Sequence, residues 1–166
     1  MTSGPHLYVD ADACPVKAEA VKVAERHGLA TVFVANSWLP LPRSPRVRMQ
    51  VVAGSFDAAD DWIADHVQRD DVVITADIPL AARALQAGAW VLGPSGKPFT
   101  GDNIGNALAT RELMADLRAY GVGGGPPPFS ARDRSRFLEA LEHVVRQAVR
   151  ARAAAPGPSG SESGVP

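Results

Sequence analysis

Apolar residues along this chain fall in two kinds of pattern that take turns. Short unbroken or β-branched runs read as strands, and stripes with helical spacing read as helices. The first run is His6–Asp10 (HLYVD). A helix is predicted over residues 15–27, with Pro15 in its first turn and Gly28 just past its end. Ala30–Ala35 (ATVFVA) has the composition of a buried strand. Residues 36–45 (NSWLPLPRSP) carry three prolines and read as a loop. Residues 47–52 are a further strand. Residues 57–68 form a helix whose apolar stripe is Phe56, Ala59, Ile63 and Val67.

The second half repeats the alternation. Residues 71–75 (DVVIT) read as a strand, 79–87 as a helix stopped by Gly88, and Trp90–Leu92 as a short strand. Residues 93–101 are expected to be a loop and 102–120 a long helix. Residues 121–128 (GVGGGPPP) exclude regular structure. The last helix spans residues 130 to about 151, opened by a capping box of Ser130 and Asp133. Phe137, Leu141, Val144, Val145 and Ala148 mark its buried side. Residues 155–166 (APGPSGSESGVP) have the composition of a disordered tail. Strands separated by helices predict an α/β fold with a mainly parallel sheet, in one domain over residues 1–152.

Composition narrows the function. At 166 residues and 46% apolar, the chain can bury a core. A net charge of −1 removes bulk basicity as an argument for nucleic-acid binding. The single cysteine, Cys14, excludes an internal disulfide and a multi-cysteine zinc site. No stretch has the length of a membrane span, and the first residues lack a leader pattern, so a cytoplasmic protein with no membrane partner is expected.

In parallel sheets, ligands sit beyond the carboxyl ends of the strands. There the sequence sets Asp10-Ala11-Asp12-Ala13-Cys14-Pro15 after the first strand, and Ala76-Asp77-Ile78-Pro79 after the strand ending at Thr75. The helix at 57–68 opens with Asp57, Asp60 and Asp61. Converging carboxylates repel one another, and a hard divalent cation resolves the repulsion. Such a site suits metal-assisted attack of water on a phosphodiester.

Simpler roles exist for most of these acids. Asp12 and Asp77 each suit a helix N-cap. Asp57 and Asp60 suit the positive end of a helix dipole. Asp61 and Asp65 read as solvated. Asp10, several residues before its helix, is the acid that capping explains least.

Four stretches resemble the YaiI/YqxD family of bacterial proteins. They are Asp10-Ala11-Asp12-Ala13-Cys14-Pro15, Phe56-Asp57-Ala58-Ala59-Asp60 with Ile63, the run from Asp71 to Ala81, and Gly125-Pro126 followed by Arg132-Asp133-Arg134 and Phe137. The resemblance runs from about Leu7 to Val149. It implies a PIN-like three-layer sandwich and a metal-dependent nuclease acting on RNA or DNA. On this reading Asp10 and Asp77 bind Mg²⁺ or Mn²⁺, and Asp57 or Asp60 supplies a helical acid. Asp12 and Thr75 stand outside that inner set. Asp102 has no matching context and is left out.

Lys17, Asn36, Arg132 and Arg134 are the candidate contacts to a single-stranded nucleic acid. Arg146, Arg150 and Arg152 read as a solvated helix face. Trp38 offers a ring for stacking on a base, against a packing role for a proline-flanked tryptophan. Cys14 reads as a small packing residue and His27 as a helix-end contact. Two other functions compete. One is a scaffold that binds nucleic acid or protein without cutting. The other is a phosphatase with Asp10 as nucleophile, weakened because Asp70-Asp71 lies before its strand rather than after it. A homodimer through an exposed sheet edge is a further expectation.

Overall fold

The computed structural model describes residues 4–12, 14–55, 57–121 and 128–155. Phe56, most of the Gly–Pro stretch and the tail beyond residue 155 lie outside the described residues. Strands β1 (His6–Asp10), β2 (Ala30–Ala35), β3 (Val47–Val51), β4 (Val72–Ile74), β5 (Trp90–Leu92) and β6 (Pro98–Phe99) form one sheet in the order β3-β2-β1-β4-β5-β6. All neighbours pair in parallel except β5 and β6. The helices are α1 (Lys17–Arg26), α2 (Ala58–His66), α3 (Ile78–Gln86), α4 (Ile104–Ala119) and α5 (Ala131–Ala154).

The period of two along each strand sorts the core into two halves. Leu7, Val9, Phe33, Val72, Ile74 and Leu92 join one cluster with residues of α1 and α5. Tyr8, Val32, Val34, Val73 and Val91 join the other with Ala59 and Ile63 of α2 and Leu80, Ala81 and Ala84 of α3. The result is three layers, with helices on both faces of a mixed, mostly parallel sheet.

The chain runs β1-β2-β3 toward one edge, then returns to β4 beside β1 and proceeds toward the other. The order reverses between β1 and β4, and a crevice opens at their carboxyl ends. The parity that sends Tyr8 toward α2 and α3 sends Asp10 the same way, and Thr75 follows Val73 in the same sense.

Several local expectations change. Helix α1 begins at Lys17, not Pro15, and its N-cap Val16 makes no side-chain cap bond. Residue 14, before Pro15, is steered away from helical angles, so residues 14–16 stay irregular ahead of the helix. The stretch 93–101 is not a plain loop: a turn through Gly96 sets β6 antiparallel to β5. Gly96 has φ +91°, and a Cβ there would lie 2.7 Å from the Arg136 carbonyl carbon, so only glycine lets the hairpin touch α5. The proline-rich loop after β2 does the covering work of a crossover helix, packing Leu39 and Leu41 on the α1 face. Trp38 does not pack; it is 70% exposed. The Ser130–Asp133 capping box is present. Helix α4 contributes no buried residue.

Arg152 is not on a solvated face. Its Nη2 donates to the Arg69 carbonyl at 2.7 Å and to Asp71 Oδ1 at 3.0 Å. No described helix is long and apolar enough to cross a membrane.

Candidate functional site: an acidic cavity at the strand ends

A cavity of about 200 Å³ opens where β1 and β4 end. Asp10, Asp12, Asp60 and Asp77 line it, with Cys14, Asn36 and Thr75, and among the described residues no lysine, arginine or histidine does. Each acid arrives by a different local rule. Asp10 is the last residue of β1, turned toward α2 by strand parity. Asp77 is the N-cap of α3: its Oδ1 accepts from the Leu80 N–H at 2.9 Å, and Pro79 enters the first turn. Asp60 lies in the first turn of α2, which descends toward β4. Asp12 is not a helix cap. Both its carboxylate oxygens accept from the Asn36 N–H at 3.2 Å, which ties the turn after β1 to the end of β2.

Thr75 links two of the acids. It is 1% exposed, its hydroxyl donates to Asp10 Oδ2 at 2.8 Å, and it accepts from the Asp77 N–H at 2.9 Å. The hydroxyl is thereby oriented, and one oxygen of Asp10 is held while the other is left for the cavity.

The electrostatics follow from the crowding. Asp60 is pushed up to about 7, by burial first, then by the charges of Asp77 and Asp10 and by a shared hydrogen bond with Asp77. Asp10 is also raised, chiefly by burial, with Asp77 and Asp12 adding and the Thr75 hydrogen bond opposing. Burial likewise pushes the Cys14 thiol up, which keeps it protonated and fits its place in the core.

Most of the other candidates lie elsewhere. Asp57 is exposed at the start of α2, makes no cap bond, and lines an adjoining hollow rather than the acidic cavity. Asp61 pairs with Arg83 at 2.7 Å on the surface. Among the proposed nucleic-acid contacts, Asn36 lines the cavity. Lys17 instead donates from Nζ to the Cys14 carbonyl at 2.8 Å. Arg134 pairs with Glu19 at 2.8 Å and lies over the Phe129 ring. Arg132 is exposed on the first turn of α5, outside the cavity. The His27 ring meets Glu142 at 2.8 Å rather than facing the site. Asp71 sits at the opposite end of the sheet, as the phosphatase reading would not allow. Arg111 escaped the sequence reading. It stands on α4, and its only sequence signal was membership of a helix with weak amphipathicity.

The donor set suits a hard cation: carboxylate oxygens, with room for water. Among the described residues, no three carboxylate, imidazole or thiol groups stand close enough to form a ready-made shell. An ion here would take one or two of the Asp10, Asp60 and Asp77 carboxylates that line the cavity and complete its shell with water and substrate oxygens, the usual habit of Mg²⁺.

Residues 8–147 match the family model described as the uncharacterised YaiI/YqxD family. A UPF0178 protein of Azorhizobium caulinodans is 58% identical over 146 residues, covering 87% of this chain and 92% of its own length. Similar proteins occur in Rhodospirillum rubrum (55% identity; 88% of this chain, 99% of the relative) and Brucella ovis (56%; 87% and 91%). No solved structure matches the chain. On the family match and these relatives together, the chain belongs to the YaiI/YqxD family.

Proposed function

We propose that this protein is a PIN-like nuclease that hydrolyses phosphodiester bonds of RNA, or of other single-stranded nucleic acid, with Mg²⁺ or Mn²⁺ in the acidic cavity. The observation that carries this reading is the gathering of Asp10, Asp60 and Asp77 around one cavity whose lining, among the described residues, holds no cation. Carboxylates are rarely crowded in this way without a partner, because each must ionise against burial and against its neighbours.

A bound divalent ion would neutralise charge on the scissile phosphate and acidify an attacking water. The chain's own groups prepare the site. Asp77, fixed by the Leu80 N–H, and Asp60 beside it would hold the ion. Asp10 presents its free oxygen because Thr75 holds the other. Asp12 and Asn36 form the wall at the end of β2. Asp57 falls outside this set. Trp38, exposed two residues beyond Asn36, offers a ring for a base.

The test is incubation of the purified protein with labelled single-stranded RNA, with Mn²⁺ and then with EDTA. Cleavage with metal alone is expected. Asp10→Asn should lower the rate by about 10³-fold while the unfolding midpoint stays put. Binding without cleavage under any divalent ion would instead establish the non-cutting scaffold. Release of phosphate from small esters through an acid-stable aspartyl-phosphate would establish the phosphatase.

A further inference from the structure

We infer that the groove running from the acidic cavity between α3, the β5–β6 hairpin and α4 carries the strand that flanks the scissile phosphate, with Arg111 as its phosphate-positioning residue. The inference rests on the nuclease reading and adds the path of the substrate.

Three hollows share residues in series. Asp60 and Asp77 line the acidic cavity and also a second hollow of about 290 Å³, which adds Arg83 and Arg111. Arg111 in turn lines a third, of about 530 Å³, with Lys97, Asn106, Phe99 and Met114. The last volume lies in the range of ordinary ligand pockets. Arg111 is thus the hinge between the acids and the groove.

The charges along this path are complementary to a polyanion in one place only. The acidic cavity repels phosphate, so a strand delivered there needs cations just beyond it. Arg83 is committed to Asp61 at 2.7 Å. Arg111 and Lys97 make no ion pair or side-chain hydrogen bond among the described residues, although four aspartates share a hollow with Arg111. Arg111 can hold a phosphate oxygen pair in its planar fork, and Lys97 supplies a point charge farther out. Phe99 is half-buried and Met114 is 48% exposed, an apolar floor of the kind on which bases rest. No residue of α4 is fully buried, although Ile104 packs at the margin of the α2–α3 core, and α4 turns the polar Asn106, Thr110 and Arg111 to this groove. The cations that stand out in the sequence are less suited, since Lys17 and Arg134 already hold partners and Arg132 lines none of the three hollows.

The experiment uses the full chain and a short fluorescein-labelled single-stranded oligoribonucleotide. Anisotropy is read across a salt series with Asp10→Asn as non-cleaving host, and KM and kcat are read in the cleaving protein. Arg111→Ala should weaken binding about 10-fold and flatten the log–log salt slope by about one. It should raise KM by a similar factor with little change in kcat, and Arg111→Lys should keep the salt slope. Arg111 is exposed, so an unchanged melting midpoint separates these effects from misfolding. Adding Lys97→Ala should weaken binding further.

Cleavage by the parent protein with affinity, slope and KM unmoved by Arg111→Ala overturns the groove and leaves the acidic site standing. Arg111-dependent binding with no cleavage under any divalent ion supports the groove and overturns the nuclease reading. Displacement of the oligonucleotide by polyglutamate at equal charge concentration overturns the strand as occupant, because the groove would then be reading acidic peptide.

Discussion

The two ends of the β1–β4 pair handle the same chemical problem in opposite ways. At the amino end, Asp71 is 2% exposed and fully partnered. It accepts from the His6 N–H at 2.9 Å, the Gln68 N–H at 2.8 Å and Arg152 at 3.0 Å. At the carboxyl end, Asp10, Asp60 and Asp77 share a cavity with no cation in its lining among the described residues, and Asp60 is driven up to about 7. A carboxylate that brings its own guanidinium locks termini together, here the start of β1, the turn before β4 and the end of α5. Carboxylates left without one form a site that an external charge must complete. The same residue type is thus architecture at one end and candidate chemistry at the other.

Breaking the compensated end should give the largest effect. Arg152→Met strips the buried Asp71 of its cation and should cost about 3 kcal/mol in urea unfolding. Metal binding, followed by calorimetry, should be untouched. An undiminished unfolding free energy would mean that the two backbone donors suffice.

The uncompensated end should respond with the opposite sign. Asp60→Asn removes the group that burial and its neighbours disfavour most. Without divalent ion at pH 8 it should raise stability by about 1 kcal/mol, a figure kept small because the carboxyl is half-exposed. With Mg²⁺ present the advantage should vanish, because the parent protein gains from the ion and the variant loses a ligand. A variant less stable than the parent in EDTA would show that Asp60 is satisfied as it stands.

The pH dependence sharpens the contrast. Asp60 is raised from 3.8 to about 7, so the folded chain holds a proton that the unfolded chain has released across that window. Its contribution to stability therefore falls as pH rises from about 4 to about 7. Glu142 behaves in reverse. Burial pushes it up, but hydrogen bonds from His27, Arg26 and Arg146 outweigh this and leave it below its ordinary 4.5. Its contribution is present above that value and is lost as pH falls through the lowered pKa. Melting midpoints of the parent protein should decline between pH 5 and 8 in EDTA, and Asp60→Asn should flatten that slope while leaving the acid limb alone. A slope that persists in the variant would assign the titration elsewhere.

The smallest effect belongs to an exposed pair next to the site. Arg83→Ala should cost about 0.5 kcal/mol, since its bond to Asp61 is solvated on both sides. It tests whether the rim of the acidic cavity is held by charge at all.

The chain's own pattern was enough for much of this. Alternating apolar runs and helical stripes located the principal strands and the five helices of the described residues to within a few positions, because burial imposes those periods locally. The acids that flank the strands were visible for the same reason: strand ends and helix starts are marked by Pro79, Gly28 and the apolar runs themselves. The turn to β6 was hidden, since two residues carry no period and the turn depends on Gly96 meeting α5. So was the fate of each charge. Asp71 and Asp60 look alike in sequence, as do Arg152 and Arg111. Which acid meets an arginine and which meets only other acids is decided by pairing across 81 positions for Asp71 with Arg152, and by the order reversal between β1 and β4. Periodicity reports which side of an element is buried, a one-body property of the local chain. Charge compensation is a two-body property, and only the folded arrangement sets which bodies meet.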